Sequence, residues 1–450
     1  MRRRDAPRIG IIGGGLMGLA LARKLGVDGC PVTVFERDAQ LGGLATYHDY
    51  GRFFWDRFYH VILPSDRHLI GLIDELGLSA ELEWRRTYTG FYVDGRMHSI
   101  SNNMEFLKFP LLSPVSKLRL AWTMLYGSRI DDWRRLETVS AEDWLVRVSG
   151  RATYEKMWKP LLLAKLGENY RRVSAVFIWS YIKRLFSARH SAASKEALGH
   201  VSGGYKQILE RLCEQVSSRD GTILTAIGVR RIRPAQGGGM VVSSDRGEER
   251  FDRVVCTSPV PVLRKLADPS LLDVREGRGN VEYLGVVCVV VVSTEALVPY
   301  YVVNIADPEI PFTGVIGMTN AVSRDNTDGL HLTYLPKYVL STDQLLRSPD
   351  RDISETFLAG VRHMFPGFDT ASIVSLHVNR AERVQPLQVL NYSRRVPEIT
   401  TGHPDFFVLN TAQFVNATLN NNEVVGAVNA FHERHGTNLM RPREYLAAAG

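Results

Sequence analysis

Three glycines and one glutamate near the N-terminus have the types and spacing that suit dinucleotide binding. Gly13, Gly15 and Gly18 match the pattern G-x-G-x-x-G, and Glu36 ends the next apolar run. The first glycine permits a tight turn, the second lets backbone approach a pyrophosphate, and the third permits close packing of a helix on a strand. A carboxylate at Glu36 can accept from both hydroxyls of an adenosine ribose, and it would repel a 2′-phosphate, which disfavours NADP.

These four residues need a strand, a turn, a helix and a second strand to position them. Apolar runs predict strands over 9–12 and 32–35, and apolar periodicity predicts a helix over 16–25. The N-terminus of that helix would face the negative charge of the pyrophosphate. We therefore expect a Rossmann-type unit at the start of the chain, although the unit alone does not distinguish NAD from FAD.

A second glycine pair distinguishes the two cofactors. In a simple NAD enzyme the second strand would lead into another helix, whereas here "DAQLGGLATY" (38–47) places Gly42 and Gly43 shortly after Glu36. This stretch resembles the glycine-pair motif of the superfamily of flavin-dependent amine oxidases, protoporphyrinogen oxidases and phytoene desaturases, where the pair lies beside the FAD pyrophosphate. The resemblance implies FAD.

The resemblance continues along nearly the whole chain. Segments 201–212, 221–234, 251–266 and 404–431 look like later FAD-domain motifs of that superfamily, in the right order. Segment 157–185, "MWKPLLLAKLGENYRRVSAVFIWSYIKRL", is closest to the branch with protoporphyrinogen-oxidase-like and UDP-galactopyranose-mutase-like proteins.

The resemblance implies non-covalent FAD, since no Cys or His stands in a recognisable attachment motif. It assigns cofactor binding to Gly13, Gly15, Leu16, Met17, Gly18, Glu36, Arg37, Gly42, Gly43, Leu44, Phe58, Val229, Ser258, Thr411, Asn422 and Val424.

Two positions depart from the superfamily pattern at the phosphate and ribityl contacts. Leu44 stands where an arginine usually follows the glycine pair, and Asn410, Thr411 and Ala412 stand where a Gly-Asp pair is common. No convincing aromatic pair of the kind that frames an amine is found, which makes an amine substrate less expected. Asn416, Asn420, Asn421 and Asn422 are expected to include caps of the last helix.

The stretch "GRFFWDRFYH" (51–60) crowds aromatic rings after the glycine pair. By resemblance it passes the flavin ring, which makes Phe58, Tyr59 and His60 the candidates nearest to the flavin. His60 is a candidate proton donor or acceptor at working pH, with a packed structural histidine as the alternative. Tyr392 is a further catalytic candidate and Tyr334 a pocket candidate. No metal site is expected.

The predicted fold class is α/β, with a Rossmann-type (GR2-like) FAD-binding domain and a discontinuous α+β substrate domain that contains a helical subdomain. The FAD-binding domain is assigned to 1–85, 200–267 and 396–450. The helical part is assigned to 86–199 and the sheet part to 268–395, with strands expected over 281–292, 312–319 and 330–335.

Aromatic residues in the helical part allow two interpretations. They fill a local core, or they line a lid or tunnel for an apolar or planar substrate. The residues concerned are Trp133, Trp144, Trp158, Trp179 and Tyr181.

Length and composition place the chain among folded, multi-domain proteins. It has 450 residues, 45% of them hydrophobic and 23% charged, with a formal net charge of +7. The charge lies in short clusters such as 2–4, so weak peripheral association with anionic lipid is an expectation beside an ordinary solvated surface. Four scattered cysteines show no zinc, haem or disulfide spacing and suit a reducing cytoplasm.

Other partners and processing signals find little support. The longest apolar run, 284–292, is too short to span a bilayer and predicts a buried strand. The first residues imitate a signal peptide, but their glycines keep the dinucleotide spacing. No nucleic-acid motif is present, and the oligomeric state stays open.

Three functions follow, in order of support. The first is an FAD-dependent oxidoreductase that transfers hydride from a substrate C–H to flavin N5. The second is a redox-neutral flavoenzyme similar to UDP-galactopyranose mutase, which would need an arginine pair in the pocket. The third is a flavin-free lipid-carrier protein of the same fold, which would be colourless. Substrate and electron acceptor stay open.

Overall fold

The computed structural model describes residues 6–190, 197–272 and 277–441, so the arginine cluster 2–4 lies outside the described residues. The strands are β1 (Ile9–Ile12), β2 (Val32–Phe35), β3 (Tyr47–Asp49), β4 (Phe54–Asp56), β5 (Leu82–Arg86), β6 (Thr89–Val93), β7 (Arg96–Ser99), β8 (Ala197–Val201), β9 (Thr222–Leu224), β10 (Val229–Pro234), β11 (Met240–Ser244), β12 (Gly247–Phe251), β13 (Arg253–Cys256), β14 (Tyr283–Ser293), β15 (Val302–Ile305), β16 (Gly314–Gly317), β17 (His331–Leu340), β18 (Ile373–Pro386) and β19 (Phe406–Val408).

The α-helices alternate with these strands and concentrate in the middle of the chain. They are α1 (Leu16–Val27), α2 (Arg67–Glu75), α3 (Asn103–Lys108), α4 (Pro114–Ser128), α5 (Ala141–Ser149), α6 (Arg151–Thr153), α7 (Lys159–Leu166), α8 (Ala175–His190), α9 (Tyr205–Ser217), α10 (Val260–Leu266), α11 (Asp350–Met364) and α12 (Asn421–Met440).

A five-stranded parallel sheet carries the N-terminal glycines. Its order is β19-β13-β1-β2-β9, and β1 lies between β13 and β2 in parallel register. Its central strands are short apolar runs because both faces of the sheet are covered, one by helices and the other by a second sheet of the same chain. On the helical face, α1 packs against α9 and α12, and α2 packs against α12, around one apolar core. The predicted strands 9–12 and 32–35 are confirmed, and the predicted helix extends to Val27.

A three-stranded antiparallel sheet of β10, β11 and β12 covers the opposite face. Met240, Val242 and Phe251 share an apolar cluster with Phe35 and other residues of the parallel sheet. Segment 221–234 therefore forms two strands, β9 in the parallel sheet and β10 in the antiparallel one.

A seven-stranded mixed sheet forms the second large layer, in the order β18-β14-β17-β16-β15-β6-β7. Every residue of β14 is buried because alternate side chains enter separate apolar clusters on the two faces. The predicted buried strand 284–292 is thereby confirmed, and the other two predicted strands correspond to β16 and β17 with shifted ends.

The segment between β7 and β8 is helical, and its tryptophans fill a local core. Trp144, Trp158 and Trp179 are buried there together with Phe177 and Leu145. Segment 86–199 is not helical throughout, because β6 and β7 pair with each other and β6 pairs with β15 in the seven-stranded sheet. The predicted α/β class with a Rossmann-type sheet is confirmed, while the domain boundaries stay predictions.

Within the described ranges, no helix is both long and apolar enough to cross a bilayer. The four cysteines are free thiols, and three of them are buried.

Candidate functional site

The turn after β1 is closed by glycines that no other residue can replace without movement. Gly13 has φ +116°, and a Cβ there would lie 2.5 Å from Oγ1 of Thr257. A Cβ on Gly18 would lie 2.0 Å from the carbonyl oxygen of Gly13, so α1 approaches the turn as closely as backbone allows. The predicted roles of a tight turn and close helix packing agree with this geometry.

The N-terminus of α1 is open to an anion. Gly15 precedes the helix and offers no side-chain cap, and the first turn contains no acidic residue. The side chains of Leu16 and Met17 are buried, so only the backbone of these residues can take part in ligand binding. N–H groups at such an end, with the helix dipole, favour a phosphate.

The second glycine pair is hydrogen-bonded to the first glycine motif. The N–H of Gly42 donates to the carbonyl oxygen of Gly14 at 2.9 Å, and Gly15 and Gly42 form a parallel bridge. A Cβ on Gly43 would lie 3.3 Å from the Cα of Gly15. The two motifs thus form one continuous strip of backbone without side chains. Its length suits a pyrophosphate better than a single phosphate group.

The carboxylate of Glu36 is held at the edge of this strip. It accepts from the N–H of Gly14 at 2.8 Å through Oε2 and from the N–H of Asp38 at 2.9 Å through Oε1. Each oxygen retains a further lone pair, so ribose hydroxyls can still donate to it. The N–H of Ile227 donates to the backbone carbonyl of Glu36, which brings Val229 to the same edge.

A short 3-10 helix, Thr411–Gln413, lies at the carboxyl end of β13. Asn410 and Gln413 form a capping box that fixes this turn, and Nδ2 of Asn410 donates to the carbonyl oxygen of Ser258 at 3.1 Å. The structure therefore brings Ser258 and Thr411, both predicted cofactor residues, to adjacent backbone segments. Gly13 lies beside them, because a Cβ there would be 3.8 Å from the amide nitrogen of Ser258.

Tyr392 packs against the turn at Thr411–Gln413 and is hydrogen-bonded to it. Its hydroxyl donates to the carbonyl oxygen of Ala412 at 2.8 Å, and the ring is buried against Val260 and Tyr283. Burial raises the pKa of Tyr392 well above its ordinary value. This geometry offers a supporting role beside the predicted catalytic one.

The first turn of α12 begins with the expected asparagine cap. Asn420 accepts from the N–H of Glu423, whereas Oδ1 of Asn422 accepts from the N–H groups of His68 and Leu69 at the start of α2. The side chain of Asn422 thus joins α12 to α2. Val424 packs in the core of the parallel sheet, so its contribution to a cofactor site would come from backbone.

The remaining cofactor candidates differ in exposure. Arg37 is exposed and pairs with Asp38 at 3.3 Å. Leu44 and Phe58 pack in an aromatic cluster on β14 and β17, which contains Tyr50, Phe53 and Trp55 among others. Most of the aromatic stretch is therefore core of the seven-stranded sheet.

Asp56 and His60 form a buried pair beside a cavity of about 10 Å³, room for roughly one water. Oδ2 of Asp56 lies 3.8 Å from Nδ1 of His60, and that nitrogen has no hydrogen-bond partner among the described residues. Burial lowers the pKa of His60 to about 4 and raises the pKa of Asp56 to about 8. Near pH 7 the imidazole is neutral, so it can accept a proton but holds none to donate as imidazolium.

Three hydrogen bonds fix the position of Asp56. The N–H of Tyr205 donates to Oδ1 at 2.8 Å, and the hydroxyls of Tyr50 and Tyr334 donate to the Asp56 carbonyl at 3.1 and 2.5 Å. Tyr334, a pocket candidate from the sequence, is fully buried and thus positions the strand that carries Asp56.

A second cluster joins Tyr59 to the helical part and the large sheet. The hydroxyls of Tyr59 and Tyr338 lie 2.9 Å apart, and Nζ of Lys165 lies 3.5 Å from the centroid of the Tyr338 ring. Burial lowers the pKa of Lys165 to about 7 and raises that of the neighbouring Tyr181 to about 12. All four side chains nevertheless keep part of their surface accessible.

Comparison with known proteins agrees with this arrangement of glycine motifs, the Glu36 carboxylate and aromatic residues. The sequence profile of the flavin containing amine oxidoreductase family matches residues 16–384. The chain belongs to this family. The superfamily predicted from the motifs is thereby confirmed.

Curated relatives within the flavin amine oxidoreductase family match only in part. Mitochondrial protoporphyrinogen oxidase of Nicotiana tabacum is 31% identical over 119 residues, which cover 26% of this chain and 24% of the relative. Carotenoid phi-ring synthase of Streptomyces griseus is 25% identical over 295 residues, which cover 60% of this chain and 56% of the relative. The chain thus spans less than two thirds of either relative.

Solved structures with the family fold match along almost the full chain. An oxidoreductase from Methanosarcina mazei has a TM-score of 0.73 at 20% identity, covering 95% of this chain and 100% of its own. Reduced UDP-galactopyranose mutase has a TM-score of 0.71 at 15% identity, covering 99% of this chain and 100% of its own. At these identities the matches show the fold.

Sequence reasoning missed three residues of this family member's cavities. Asp56 and Lys165 lie in the stretches 51–60 and 157–185, but no motif gives either of them a role, and Tyr338 lies in an ordinary strand. A weak signal existed for Asp56, since a carboxylate four residues before His60 and among aromatics is unusual in a core. Lys165 gave a similar signal at the end of the apolar run "PLLLAKL".

Proposed function

We propose that the protein is an FAD-dependent oxidoreductase that removes a hydride from a C–H bond of a small molecule. The observation that carries the proposal is the direct bond between the two glycine motifs beside the oriented carboxylate of Glu36. One glycine turn would suit many nucleotides, whereas a double strip with an acid at its edge suits a dinucleotide with a free ribose.

Bound FAD would accept the hydride at N5 and carry the redox step. The backbone of Gly15, Leu16 and Met17 and the pair Gly42–Gly43 would hold the pyrophosphate, and Glu36 and Val229 the adenosine. The segment from Ser258 to the Thr411 turn would hold the ribityl chain. The first turn of α12 would direct its N–H groups at the flavin ring.

Non-covalent attachment is part of the proposal. Cys256, at the end of β13, is the described cysteine nearest in the fold to the glycine turn, since it pairs with Ile12. Burial raises the pKa of Cys256 to about 11, so the thiol stays protonated and is a poor nucleophile. Free thiols are also what a reducing cytoplasm would maintain.

Two groups are proposed to handle the proton that leaves the substrate. Nδ1 of the neutral His60 is without a partner among the described residues and can accept a proton. Tyr59 is paired with Tyr338 through their hydroxyls and can relay a proton between them.

The redox-neutral alternative has less support. The chain shares the fold of the mutase. An enzyme of that kind, however, would need two arginines facing the pocket to bind a sugar-nucleotide pyrophosphate. Arg394 is exposed, Arg172 pairs with Glu282, and Arg171 pairs with Glu168. These arginines are therefore committed elsewhere or directed to the surface.

We also propose peripheral attachment to an anionic bilayer through an apolar face of α3 and α4. Its side chains are between 42% and 73% exposed: Met104, Leu107, Val115, Leu118, Trp122 and Tyr126. Those on α4 follow helical spacing along one side, and the exposed Lys108 flanks them. Apolar side chains with adjacent lysines suit an anionic lipid surface better than a neutral one.

The test of the enzyme proposal is direct. Purified full-length protein is expected to be yellow, to release FAD on denaturation as shown by mass spectrometry, and to lose visible absorbance under dithionite. Bleaching by an organic extract without dithionite would then indicate a substrate. A colourless protein that does not take up FAD would contradict the proposal and favour the carrier alternative.

A further inference from the structure

Lys165 is partly exposed, and the described residues supply no carboxylate to its amine. No ion pair joins Lys165 to a described Asp or Glu, and burial is the one cause that moves its pKa. A buried ammonium without a counter-ion is unfavourable unless it loses its proton or gains a partner. The question is which of these the surroundings favour.

Two features of the surroundings favour the ammonium form. The amine lies 3.5 Å from the centroid of the Tyr338 ring, close enough for a cation–π contact. Lys165 also lies in the last turn of α7, where the helix dipole is negative. These surroundings therefore tolerate a cation, and among the described residues they lack only the anion.

A hydrogen-bond donor accompanies the cation. The hydroxyls of Tyr59 and Tyr338 lie 2.9 Å apart, and a single hydrogen fills that gap. The other hydroxyl hydrogen of the pair is left to donate to a ligand. Burial raises the pKa values of both phenols, so the pair keeps its two hydrogens at neutral pH.

The cluster lies where three parts of the molecule meet. Lys165 comes from the helical part, Tyr338 from β17 of the large sheet, and Tyr59 from the stretch that follows the glycine pair. Leu44, next to the glycine pair, packs in the same apolar cluster as Tyr59 and Tyr338. A ligand at Lys165 would thus lie between the helical part and the proposed flavin site.

We propose that Lys165 and the Tyr59–Tyr338 pair form an anion subsite that receives a carboxylate of the substrate. This inference rests on the proposed function, because the substrate must lie beside these residues to be oxidised. The substrate class that follows is a molecule that carries a carboxylate.

Other titratable groups near the subsite leave this role to Lys165. Tyr181 on α8 is a neutral phenol, and Arg184 is engaged with Asp66 at 3.2 Å. Lys337, next to Tyr338 on β17, points to the opposite face of the strand. Burial lowers the pKa of Lys337, and the nearby Asp343 partly offsets that shift. Strand β15, which also packs on α7, has no charged residue. Carboxylate binding should therefore raise the pKa of Lys165 and draw a proton from solvent.

The experiment uses benzoate as the probe and benzamide as its neutral isostere. Each is titrated calorimetrically into the flavin-loaded protein near pH 7.5, in buffers of different ionisation enthalpy. We expect benzoate to bind with uptake of a fraction of a proton and benzamide to bind without it. The variant Lys165→Met should weaken benzoate binding about tenfold and abolish the uptake. The matched control Lys156→Met, at an exposed lysine of the π-helical segment that precedes α7, should behave as wild type.

Three results would overturn the subsite: no benzoate binding, equal binding of benzoate and benzamide, or proton uptake that persists in Lys165→Met. A second measurement needs no variant. Acetic anhydride labels wild-type lysines, and mass spectrometry then compares Lys165 with Lys156. Benzoate should protect only Lys165, and unprotected labelling would contradict the proposal. Flavin content is measured separately by absorbance, so a colourless protein contradicts the enzyme proposal without deciding the labelling result.

Discussion

The N–H of Gly42 donates to the carbonyl oxygen of Gly14 at 2.9 Å, so the two glycine motifs are bonded to each other. Neither motif can move without the other. A change in the second pair should therefore disturb cofactor binding even though the G-x-G-x-x-G turn is intact.

Gly43→Ala is expected to lower FAD occupancy strongly. Gly43 has φ +59°, which costs an alanine roughly 1–2 kcal/mol, and its new Cβ would lie 3.3 Å from the Cα of Gly15. The matched control is Gly71→Ala on α2, where a Cβ meets nothing within 4 Å. Flavin absorbance per protein is the measurement, and equal occupancy of the two variants would contradict a role for the strip.

Glu36→Gln is expected to weaken FAD binding by roughly tenfold to a hundredfold. The amide keeps one acceptor and presents a donor to one of the two N–H groups that now bind the carboxylate, those of Gly14 and Asp38. FAD titration of the apoprotein measures the change. The exposed Glu433→Gln should have wild-type affinity, and an unaltered affinity in Glu36→Gln would remove the carboxylate from the site.

The contribution of Asp56 to stability should fall as pH rises from about 6.5 to about 8. Folding raises the pKa of Asp56 from 3.8 to about 8, so the folded chain holds a proton that the unfolded chain has lost. Folding lowers the pKa of His60 from 6.5 to about 4, which has the opposite sign and offsets this slope below pH 6.5. Above pH 6.5 Asp56 contributes a decline of at most about 1.4 kcal/mol per pH unit, and from about pH 7 Lys165 opposes it, because folding lowers the pKa of Lys165 from 10.5 to about 7.

Asp56→Asn tests this slope. The amide can still accept from the N–H of Tyr205, yet it does not titrate. Urea unfolding of both proteins at several pH values between 6.5 and 8 should show that rising pH costs the wild type more stability than it costs the variant. Parallel declines would mean that Asp56 ionises normally in the folded protein.

Tyr392→Phe separates support from catalysis. Loss of the hydrogen bond to the Ala412 carbonyl should lower the free energy of unfolding by about 1 kcal/mol. If the tyrosine supports the turn, flavin reduction by substrate should continue at a similar rate. A loss of several hundredfold in that rate, with FAD still bound, would instead establish the catalytic role.

The double substitution Leu118→Glu and Trp122→Glu should abolish binding to vesicles that contain phosphatidylserine. Both side chains are exposed, so the fold should tolerate the change. Val374→Glu, at an exposed apolar position on β18, is the control. Wild-type binding should weaken with added salt, and retention of the double variant on vesicles would exclude this face.

The cofactor frame could be predicted from sequence because its determinants are local. A glycine at a tight turn, a helix start and an acid at a strand end lie within a few residues of one another, and each has a physical requirement of its own. The fold class followed from the same pattern, continued by the motifs that hold Ser258 and Thr411.

The cavity could be predicted only in part because its chemistry depends on burial and distant contacts. His60 was visible as a titratable residue, but only the packed structure shows that burial lowers its pKa to about 4. Lys165 and Tyr338 are far apart in the chain, and nothing local indicates that they meet. Most aromatic rings are buried in apolar cores, as the interpretation that they fill a local core predicts.

The order of strands in the parallel sheet also constrains how the protein is made. Strand β1 pairs with β2 and with β13, and β13 pairs with β19, so β1 waits for residues 253–256 and β13 waits for residues 406–408. On the ribosome, the glycine turn must therefore persist as an incomplete unit, with an unpaired strand edge, until Val408 has emerged. Such high contact order predicts slow folding and a need for chaperones during translation, and it makes capture of the flavin a late event.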